Sequence, residues 1–202
     1  MTGADVTIHC MICGTAMTPC FSKTFSRLGL GKVDYVKCPG CGLVISKTHH
    51  LMAPEEWNRL NSEYHSFHGG DEAPDDTRWV ERLSTQSRVI RDLWGRGLLP
   101  DDRGWVDYGC GDGKLCDMLA ERGLSVFKYD RYMEPRGDML SDAEIERRRP
   151  FDAVITTSVF EHLRGRRELE DIHGLLSPDG VFILHTWVAE TVPLDPGWFY
   201  LL

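Results

Sequence analysis

RGWVDYGCGDG, at residues 103–113, is the stretch that decides the fold of this 202-residue chain. Its segment WVDY is a short apolar run suited to a buried parallel strand. Three glycines follow at alternate positions, and the next residues predict a helix with Leu115, Met118 and Leu119 facing inward. A strand, a glycine turn and a helix form the first unit of a doubly wound α/β sheet, where ligands lie at the carboxyl ends of the strands. We therefore predict a Rossmann-like sheet with a ligand against this loop.

The spacing of the glycines argues against a dinucleotide. The dinucleotide fingerprint is Gly-x-Gly-x-x-Gly, and here the third glycine comes one residue early. Asp107 stands two residues before Gly109, where its carboxylate would repel a pyrophosphate but attract a cationic ligand with an amino group. Tyr108 and Cys110 are interleaved in the loop and are expected to shape the pocket rather than to react.

Three later segments extend the sheet. Residues 124–129 predict a second strand that ends at Asp130, and a carboxylate there can accept hydrogen bonds from both hydroxyls of a ribose. Residues 151–157, FDAVITT, predict another strand, and the turn LLSPDG at residues 175–180 precedes a last strand, VFILHT. The strand expected between Asp130 and residue 151 is weak, and residues 137–140 are its best candidate.

In this order, the segments resemble the class I S-adenosylmethionine-dependent methyltransferases of small-molecule type. The family's first motif, Asp/Glu-x-Gly-x-Gly-x-Gly, is matched by residues 107–113, and FDAVITTSVFEHL is similar to its fourth-strand segment. The likeness spans residues 103–187. It implies S-adenosylmethionine as the cofactor, with these residues in contact with it: Asp107, Tyr108, Gly109, Cys110, Gly111, Gly113, Asp130, Met139 and Ser158. Met139, or Asp138 beside it, would face the adenine.

The same resemblance suggests where the chemistry takes place. His162, with Glu161 beside it, lies just past the fourth strand, where an acceptor would meet the methyl group. The alternative is that Glu161 begins a helix over residues 161–176 and that His162 packs beneath the cofactor. Family members of this fold continue with a helix and two more strands, so with an end at Leu202 either the sequence is a fragment or the sheet is incomplete.

Cysteines dominate the beginning of the chain. Cys10-Met-Ile-Cys13-Gly and Cys38-Pro-Gly-Cys41-Gly are two copies of one knuckle, and together they supply the four thiolates of a closed, structural Zn²⁺ site. We predict a zinc ribbon whose intervening residues form strands and a turn, and which serves structure or acceptor access rather than cofactor binding. Cys20 is left over and is expected to be a small buried thiol.

Composition separates the ribbon from the rest. Residues 1–50 carry five basic and two acidic side chains, whereas the other residues carry 18 basic and 29 acidic ones. We predict the zinc ribbon at residues 1–50, a helical and acidic linker at 51–76 and the methyltransferase domain at 77–202. Helices are expected over 54–67 and 77–99, and the second carries an apolar stripe of Trp79, Leu83, Ile90, Leu93 and Trp94. His49, His50, His65 and His68 are interpreted as surface or interface histidines, with a second metal as the alternative.

The net charge of −8 argues against a broad nucleic-acid footprint. The chain has no secretory signal and no run long enough to span a membrane, so a cytoplasmic location is expected. Neither Asn/Asp-Pro-Pro-Tyr nor Pro-Cys follows the fourth strand, which favours a metabolite, a sugar or a natural-product precursor as the methyl acceptor.

Two alternatives stay open. One is an RNA methyltransferase guided by the ribbon, with Tyr35 available for base stacking and these basic residues on the ribbon: Lys23, Arg27, Lys32, Lys37 and Lys47. The other is a non-catalytic zinc adaptor that keeps a methyltransferase-like fold as a binding module. The intact motif of residues 107–113 together with Asp130 favours an enzyme over the adaptor.

Overall fold

Two separate sheets organise the chain. The computed structural model describes residues 6–25, 30–68 and 77–186. These residues form two units. The first comprises residues 6–25, 30–60 and 163–168, and the second comprises residues 61–68, 77–162 and 169–186.

The first unit is built on a three-stranded antiparallel sheet. Its strands are β1 (Thr18–Phe25), β2 (Gly31–Lys37) and β3 (Val44–Ser46), in the order β1-β2-β3. Helix α1 (Lys47–Leu51) follows directly, because the Ser46 side chain accepts a hydrogen bond from the His49 amide and caps it. The predicted strands between the cysteine pairs are therefore confirmed. The predicted turn, which includes Arg27, falls at residues 26–29 and lies outside the described residues. Helix α2 (Pro54–His68) begins at Pro54, as predicted, and ends one residue later than the expected bound.

Two expectations about this unit are wrong. Cys20 is exposed on β1 rather than buried. Tyr35 on β2 is only 4% exposed, because its ring stacks on that of Phe21, its register partner on β1, at 4.5 Å between centroids. Tyr35 is thus not available to stack on a base.

The second unit contains the predicted doubly wound sheet. Its four strands are β4 (Trp105–Tyr108), β5 (Phe127–Tyr129), β6 (Phe151–Thr157) and β7 (Leu176–His185). They lie in the order β5-β4-β6-β7 and all pair in parallel. Because the chain leaves β4 in one direction and returns on its other side as β6, the switch point of the sheet lies at the carboxyl end of β4, where ligands bind in this fold class.

Helices cover this sheet. They are α3 (Thr77–Gly95), α4 (Lys114–Ala120), α5 (Asp142–Arg148) and α6 (Arg166–His173). Leu83 and Ile90 of α3 pack with Leu119 of α4 against the fully buried Trp105 of β4. The predicted inward face of α3 and the inward side chains of α4 are confirmed. Of the helices in the described ranges, none is long and apolar enough to cross a membrane.

Several predicted boundaries differ from the structure. Helix α3 ends at Gly95 rather than at residue 99, and β7 begins at Leu176, within the predicted turn at 175–180. Strand β5 begins at Phe127 rather than at residue 124. Residues 137–140 form no strand; only Met139 makes a single parallel bridge, to Lys128. No helix begins at Glu161: residues 160–162 form a 3-10 turn and α6 starts at Arg166, where Glu168 accepts from the Arg164 and Gly165 amides. Residues 187–202, which bear on the prediction of an incomplete sheet, lie outside the described residues.

Candidate functional site

The loop between β4 and α4 is shaped by its three glycines. Gly109, Gly111 and Gly113 all have positive φ, at 77°, 57° and 82°. A Cβ on Gly109 would lie 2.6 Å from Val159 Cγ2, and one on Gly113 would lie 2.7 Å from Lys128 Cδ, so both positions are closed by packing. A Cβ on Gly111 would meet nothing within 4 Å. Two glycines therefore let the loop pack, and the third keeps open space over the backbone.

Asp130 ties this loop to the end of β5. Its Oδ2 accepts a hydrogen bond from the Gly111 amide at 3.0 Å, and its Oδ1 accepts from the Tyr132 amide at 2.9 Å. The Gly109 and Cys110 amides donate to the Tyr129 carbonyl at 2.8 and 3.1 Å. Each carboxylate oxygen has a second lone pair, so Asp130 keeps acceptor capacity for two further donors.

Asp107 is the most deeply buried charged group of the site. It is 1% exposed, its Oδ2 accepts from the Cys116 thiol at 3.5 Å, and its Oδ1 is buried without a hydrogen-bond partner among the described residues. Burial raises the pKa of Asp107 to about 7, the Cys116 thiol opposes this rise, and the negative charge of Asp130 adds to it. A cationic group placed here would satisfy the unpaired oxygen and draw the proton off.

Apolar and sulfur-containing side chains line the neighbouring region. Cys110, Cys116, Met133 and Met139 form one buried cluster, and Val126 packs against it. Tyr108 and Tyr129 lie beside each other, with ring centroids 5.2 Å apart, and the Tyr129 hydroxyl donates to Asp142 at 2.9 Å. The structure therefore places Tyr108, Cys110 and Met139 around the loop region, while Asp138 is exposed and paired with Lys128 at 3.1 Å.

Beyond β6 the chain makes a turn in an unusual conformation. Ser158 has a φ of 58°, which a residue with a side chain rarely adopts, and its Oγ accepts from Arg82 Nη1 at 3.3 Å. Glu161 is half-buried: its Oε2 accepts from the Thr186 hydroxyl at 2.8 Å, and its Oε1 is buried with no partner within the described part of the chain. His162, by contrast, is exposed. The structure separates the two predicted catalytic residues by their environment.

Sequence reasoning missed two polar residues near this turn. Arg82 reaches Ser158, and Gln86, one helical turn further along α3, has both amide atoms buried without partners among the described residues. Their signal in the sequence is a pair of polar residues four apart on the predicted apolar side of α3. An interpretation of α3 that follows its apolar residues does not detect this polar pair.

The glycine loop after β4 and Asp130 after β5 thus lie together at the carboxyl ends of these parallel strands. Residues 78–198, more than half of the chain, match a family model described as a methyltransferase domain. The chain belongs to this methyltransferase family. Among curated proteins, no match is found. The predicted class I methyltransferase fold and S-adenosylmethionine-dependent activity are therefore confirmed.

The residues of the methyltransferase domain fit the cofactor. S-adenosylmethionine carries a cationic amino group, a ribose and an adenine. The unpaired Oδ1 of Asp107 matches the amino group, and the remaining lone pairs of Asp130 match the ribose hydroxyls. The open space above Gly111 admits the ligand against the backbone.

Substituting Gly111 tests the space above the loop in the methyltransferase domain. Gly111→Val is expected to weaken the binding of S-adenosylhomocysteine at least about tenfold, because a branched side chain would occupy the space in which we expect the ligand to lie. Gly123→Val is the matched control: Gly123 also has positive φ, at 79°, and open space around its Cβ position, but it lies in the turn after α4. Equal loss of affinity in both variants, measured by calorimetry, would show that backbone strain alone is responsible.

The stability of the methyltransferase domain should depend on pH through Asp107. The pKa of Asp107 is about 7 in the folded protein, above its ordinary value of 3.8, so the folded state binds more protons than the unfolded state between those values. The free energy of unfolding should fall by about 3 kcal/mol as pH rises from about 4 to about 7. Asp107→Asn should lack this fall. Denaturant titrations of the wild type and of Asp107→Asn across this pH range measure the free energy of unfolding. The same pH dependence in both proteins would contradict the raised pKa of Asp107.

The four cysteines of the first unit converge. Their sulfur atoms all lie within 4.8 Å of one another, with Cys10 and Cys41 at 3.5 Å and Cys13 and Cys38 at 3.4 Å. A Zn²⁺ ion with bonds of about 2.3 Å holds sulfurs about 3.8 Å apart, so the donor set fits a tetrahedral zinc ion. In the described ranges this is the one group of three or more ligand residues close enough to hold a metal.

The two knuckles have the same local geometry. In the first, Gly14 N donates to the Cys10 carbonyl at 2.9 Å, and in the second, Gly42 N donates to the Cys38 carbonyl at 3.0 Å. Both glycines have positive φ, at 73° and 82°. Backbone amides point at sulfur in both: Ile12 N lies 3.4 Å from Cys10 Sγ, and Cys41 N lies 3.5 Å from Cys38 Sγ. Such donors stabilise thiolates, which are the form that binds a metal.

The histidines near α1 have structural partners. The ring of His49 is buried 5.5 Å from that of Trp57, and His50 Nδ1 lies 2.7 Å from the Arg164 carbonyl oxygen. His49 is thus not a surface residue. The side chains of His65 and His68 lie outside the described residues.

Proposed function

We propose that this methyltransferase transfers a methyl group to a small molecule: a metabolite, a sugar or a natural-product precursor. The observation that favours a small molecule over RNA is that an aromatic residue of the ribbon is buried and a basic one is paired. Tyr35 is buried and stacked on Phe21 of the neighbouring strand, and Lys32 is paired with Asp34 at 2.8 Å. An RNA-guiding surface needs exposed aromatic rings and unpaired cations, so these contacts weigh against the RNA alternative.

We further propose that the cysteine module holds one structural zinc ion through Cys10, Cys13, Cys38 and Cys41. Four sulfurs complete the coordination of zinc and leave no open position for a substrate. The support is the converged sulfur geometry and the repeated knuckle. In this proposal the metal stabilises the small sheet, whose own core is limited to a few side chains.

The cofactor supplies an activated methyl group when it is bound. In the proposed site, Asp107 offers a negative charge to its amino group and Asp130 accepts from its ribose hydroxyls. Gly111 keeps the backbone accessible, while Gly109 and Gly113 let the loop pack against Val159 and Lys128. Tyr108, Cys110 and Met139 shape the walls, and Ser158 follows the end of β6. The task left to the protein is to orient the acceptor in line with the methyl group.

Glu161 is the better supported candidate for removing a proton from the acceptor. Its Oε1 is buried and free of described partners, and Thr186 fixes the other oxygen, whereas His162 is exposed. A held carboxylate of this kind can accept from a hydroxyl or an amine of the acceptor. We therefore assign the proton-accepting role to Glu161 and an accessory role to His162.

Substitution separates the two residues. Glu161→Gln is expected to lower kcat about 10²-fold or more, since it removes the base but keeps the size of the side chain. His162→Gln should change kcat less than about fivefold if its role is accessory. S-adenosylhomocysteine affinity in both variants checks that the cofactor site is intact. A larger loss in His162→Gln than in Glu161→Gln would reverse the assignment.

The acceptor class is tested with methyl-labelled S-adenosylmethionine. Full-length protein is incubated with a small-molecule extract and, separately, with RNA. Label in the small-molecule fraction supports the proposal, and label in RNA supports the alternative. Binding of S-adenosylhomocysteine with no label in any fraction would instead indicate a binding module.

A further inference from the structure

The buried thiol of Cys116 has a specific partner. Cys116 lies on α4 and is 2% exposed, and its Sγ donates to Asp107 Oδ2 at 3.5 Å. Burial raises the pKa of Cys116 well above its ordinary value, so the sulfur keeps the proton that it donates. The hydrogen bond thus joins a neutral thiol on the helix to a carboxyl group on the neighbouring strand.

The thiol donates while other neighbours disfavour a charge on Asp107. Burial disfavours the ionised carboxylate, and the charge of Asp130 after β5 acts in the same direction. Cys110 lies in the same buried cluster as Cys116. Lys128, the register partner of Asp107 on β5, forms ion pairs with Asp117 and Asp138. The register neighbour on β6 is the uncharged Ile155. Of these groups, the Cys116 thiol is the one that donates a hydrogen bond to the Asp107 carboxylate.

We propose that Cys116 is a positioning residue for the cofactor: its thiol holds one oxygen of Asp107, which leaves the other oxygen to attract the amino group of S-adenosylmethionine. This inference rests on the proposed role of Asp107 in cofactor binding. On binding, the Asp107 proton leaves to solvent and the ligand's positive charge replaces it. No covalent step is involved.

The expected signature is a pH dependence. With the pKa of Asp107 at about 7, about a quarter of the protein molecules carry an ionised Asp107 at pH 6.5. Loss of the thiol donor is expected to raise that pKa further and so to lower the ionised fraction at pH 6.5 about eightfold. Cys116→Ala should therefore weaken S-adenosylhomocysteine about eightfold at pH 6.5 but less than about twofold at pH 8.5. The ligand's own titration cancels, because the variant is compared with the wild type at each pH.

Serine separates the hydrogen bond from packing. The side chain at position 116 has nearly the same volume in Cys116→Ser as in Cys116→Ala, but in Cys116→Ser it keeps a hydrogen-bond donor. The affinity of Cys116→Ser for S-adenosylhomocysteine should therefore stay within about twofold of the wild type at both pH values. Met118→Leu, a buried substitution on the same helix, controls for general perturbation of α4. Asp107→Asn should bind with no pH dependence from this group.

A measurement on the wild type alone protects the test if Cys116→Ala does not fold. Calorimetry at pH 6.5 in buffers of different ionisation enthalpy should show release of about three-quarters of a proton per ligand bound. Loss of affinity in Cys116→Ala that is equal at both pH values, or the same loss in Cys116→Ser, would overturn the inference, as would the absence of proton release. A wild type that binds no S-adenosylhomocysteine at any pH would instead contradict the proposed cofactor site.

Discussion

Replacing Cys10 and Cys38 together with serine is expected to reduce bound zinc from about one equivalent per chain to none. One ligand is then missing from each knuckle, and two remaining thiolates cannot close a tetrahedral site. Binding of structural zinc contributes about 10–16 kcal/mol to the folding of small metal modules, so the three-stranded sheet should unfold with the loss of the metal. Metal analysis of the purified protein measures the first effect, and the amide spectrum of residues 18–46 measures the second.

Cys20→Ser is the matched control for this experiment. Cys20 lies in the same unit but is exposed and stands apart from the sulfur cluster, so its replacement should leave the zinc content unchanged. Full retention of zinc in the Cys10→Ser/Cys38→Ser protein would remove these cysteines from the metal site. Loss of zinc in Cys20→Ser as well would point to a different ligand set.

Asp130→Ala is expected to weaken S-adenosylmethionine and S-adenosylhomocysteine by about 10- to 150-fold. One charged acceptor for the ribose hydroxyls is worth about 1.5–3 kcal/mol. The same carboxylate also accepts from the Gly111 and Tyr132 amides, so the substitution loosens the loop as well as removing the contact. Both ligands should lose affinity equally, because the ribose is common to them and is remote from the methyl group.

The control for the Asp130 substitution is Asp101, an exposed acid that is paired with one cation. Asp101→Ala removes the same charge from an exposed position, where the acid pairs with Arg103 at 3.2 Å. Its affinity for both ligands should match that of the wild type, since an exposed ion pair contributes little. Calorimetric titration of the three proteins decides the point: equal affinity of Asp130→Ala and the wild type would contradict the ribose contact.

Features encoded within a few neighbouring residues were predictable. The glycine loop follows β4 and precedes α4 because residues 105–120 contain an apolar strand, positive-φ positions and a helical face in direct succession. The cysteine knuckles are local in the same sense, since each pair and its glycine form one turn. The parallel sheet followed from the order of these segments, since strands that alternate with helices pair in parallel.

Features that depend on distant residues were not predictable. The helix expected from Glu161 does not form there, because the start of α6 is fixed by Glu168 binding the preceding amides and Glu161 is drawn to Thr186 beside β7. Residues 137–140 stay irregular, with one bridge to β5 in place of a strand. The burial of Tyr35 depends on stacking with Phe21 across two strands.

The sequence by itself determined the family and the residues that turn the backbone at the glycine loop and at the cysteine knuckles, because glycine and cysteine spacings act through local geometry. Only the tertiary structure decided the electrostatic state of those residues. Asp107 is recognisable from its place before the glycines, but its raised pKa and its hydrogen bond from Cys116 arise when α4 packs against β4. Burial and hydrogen bonding are properties of residues brought together by folding, and the linear order of residues does not contain those distances.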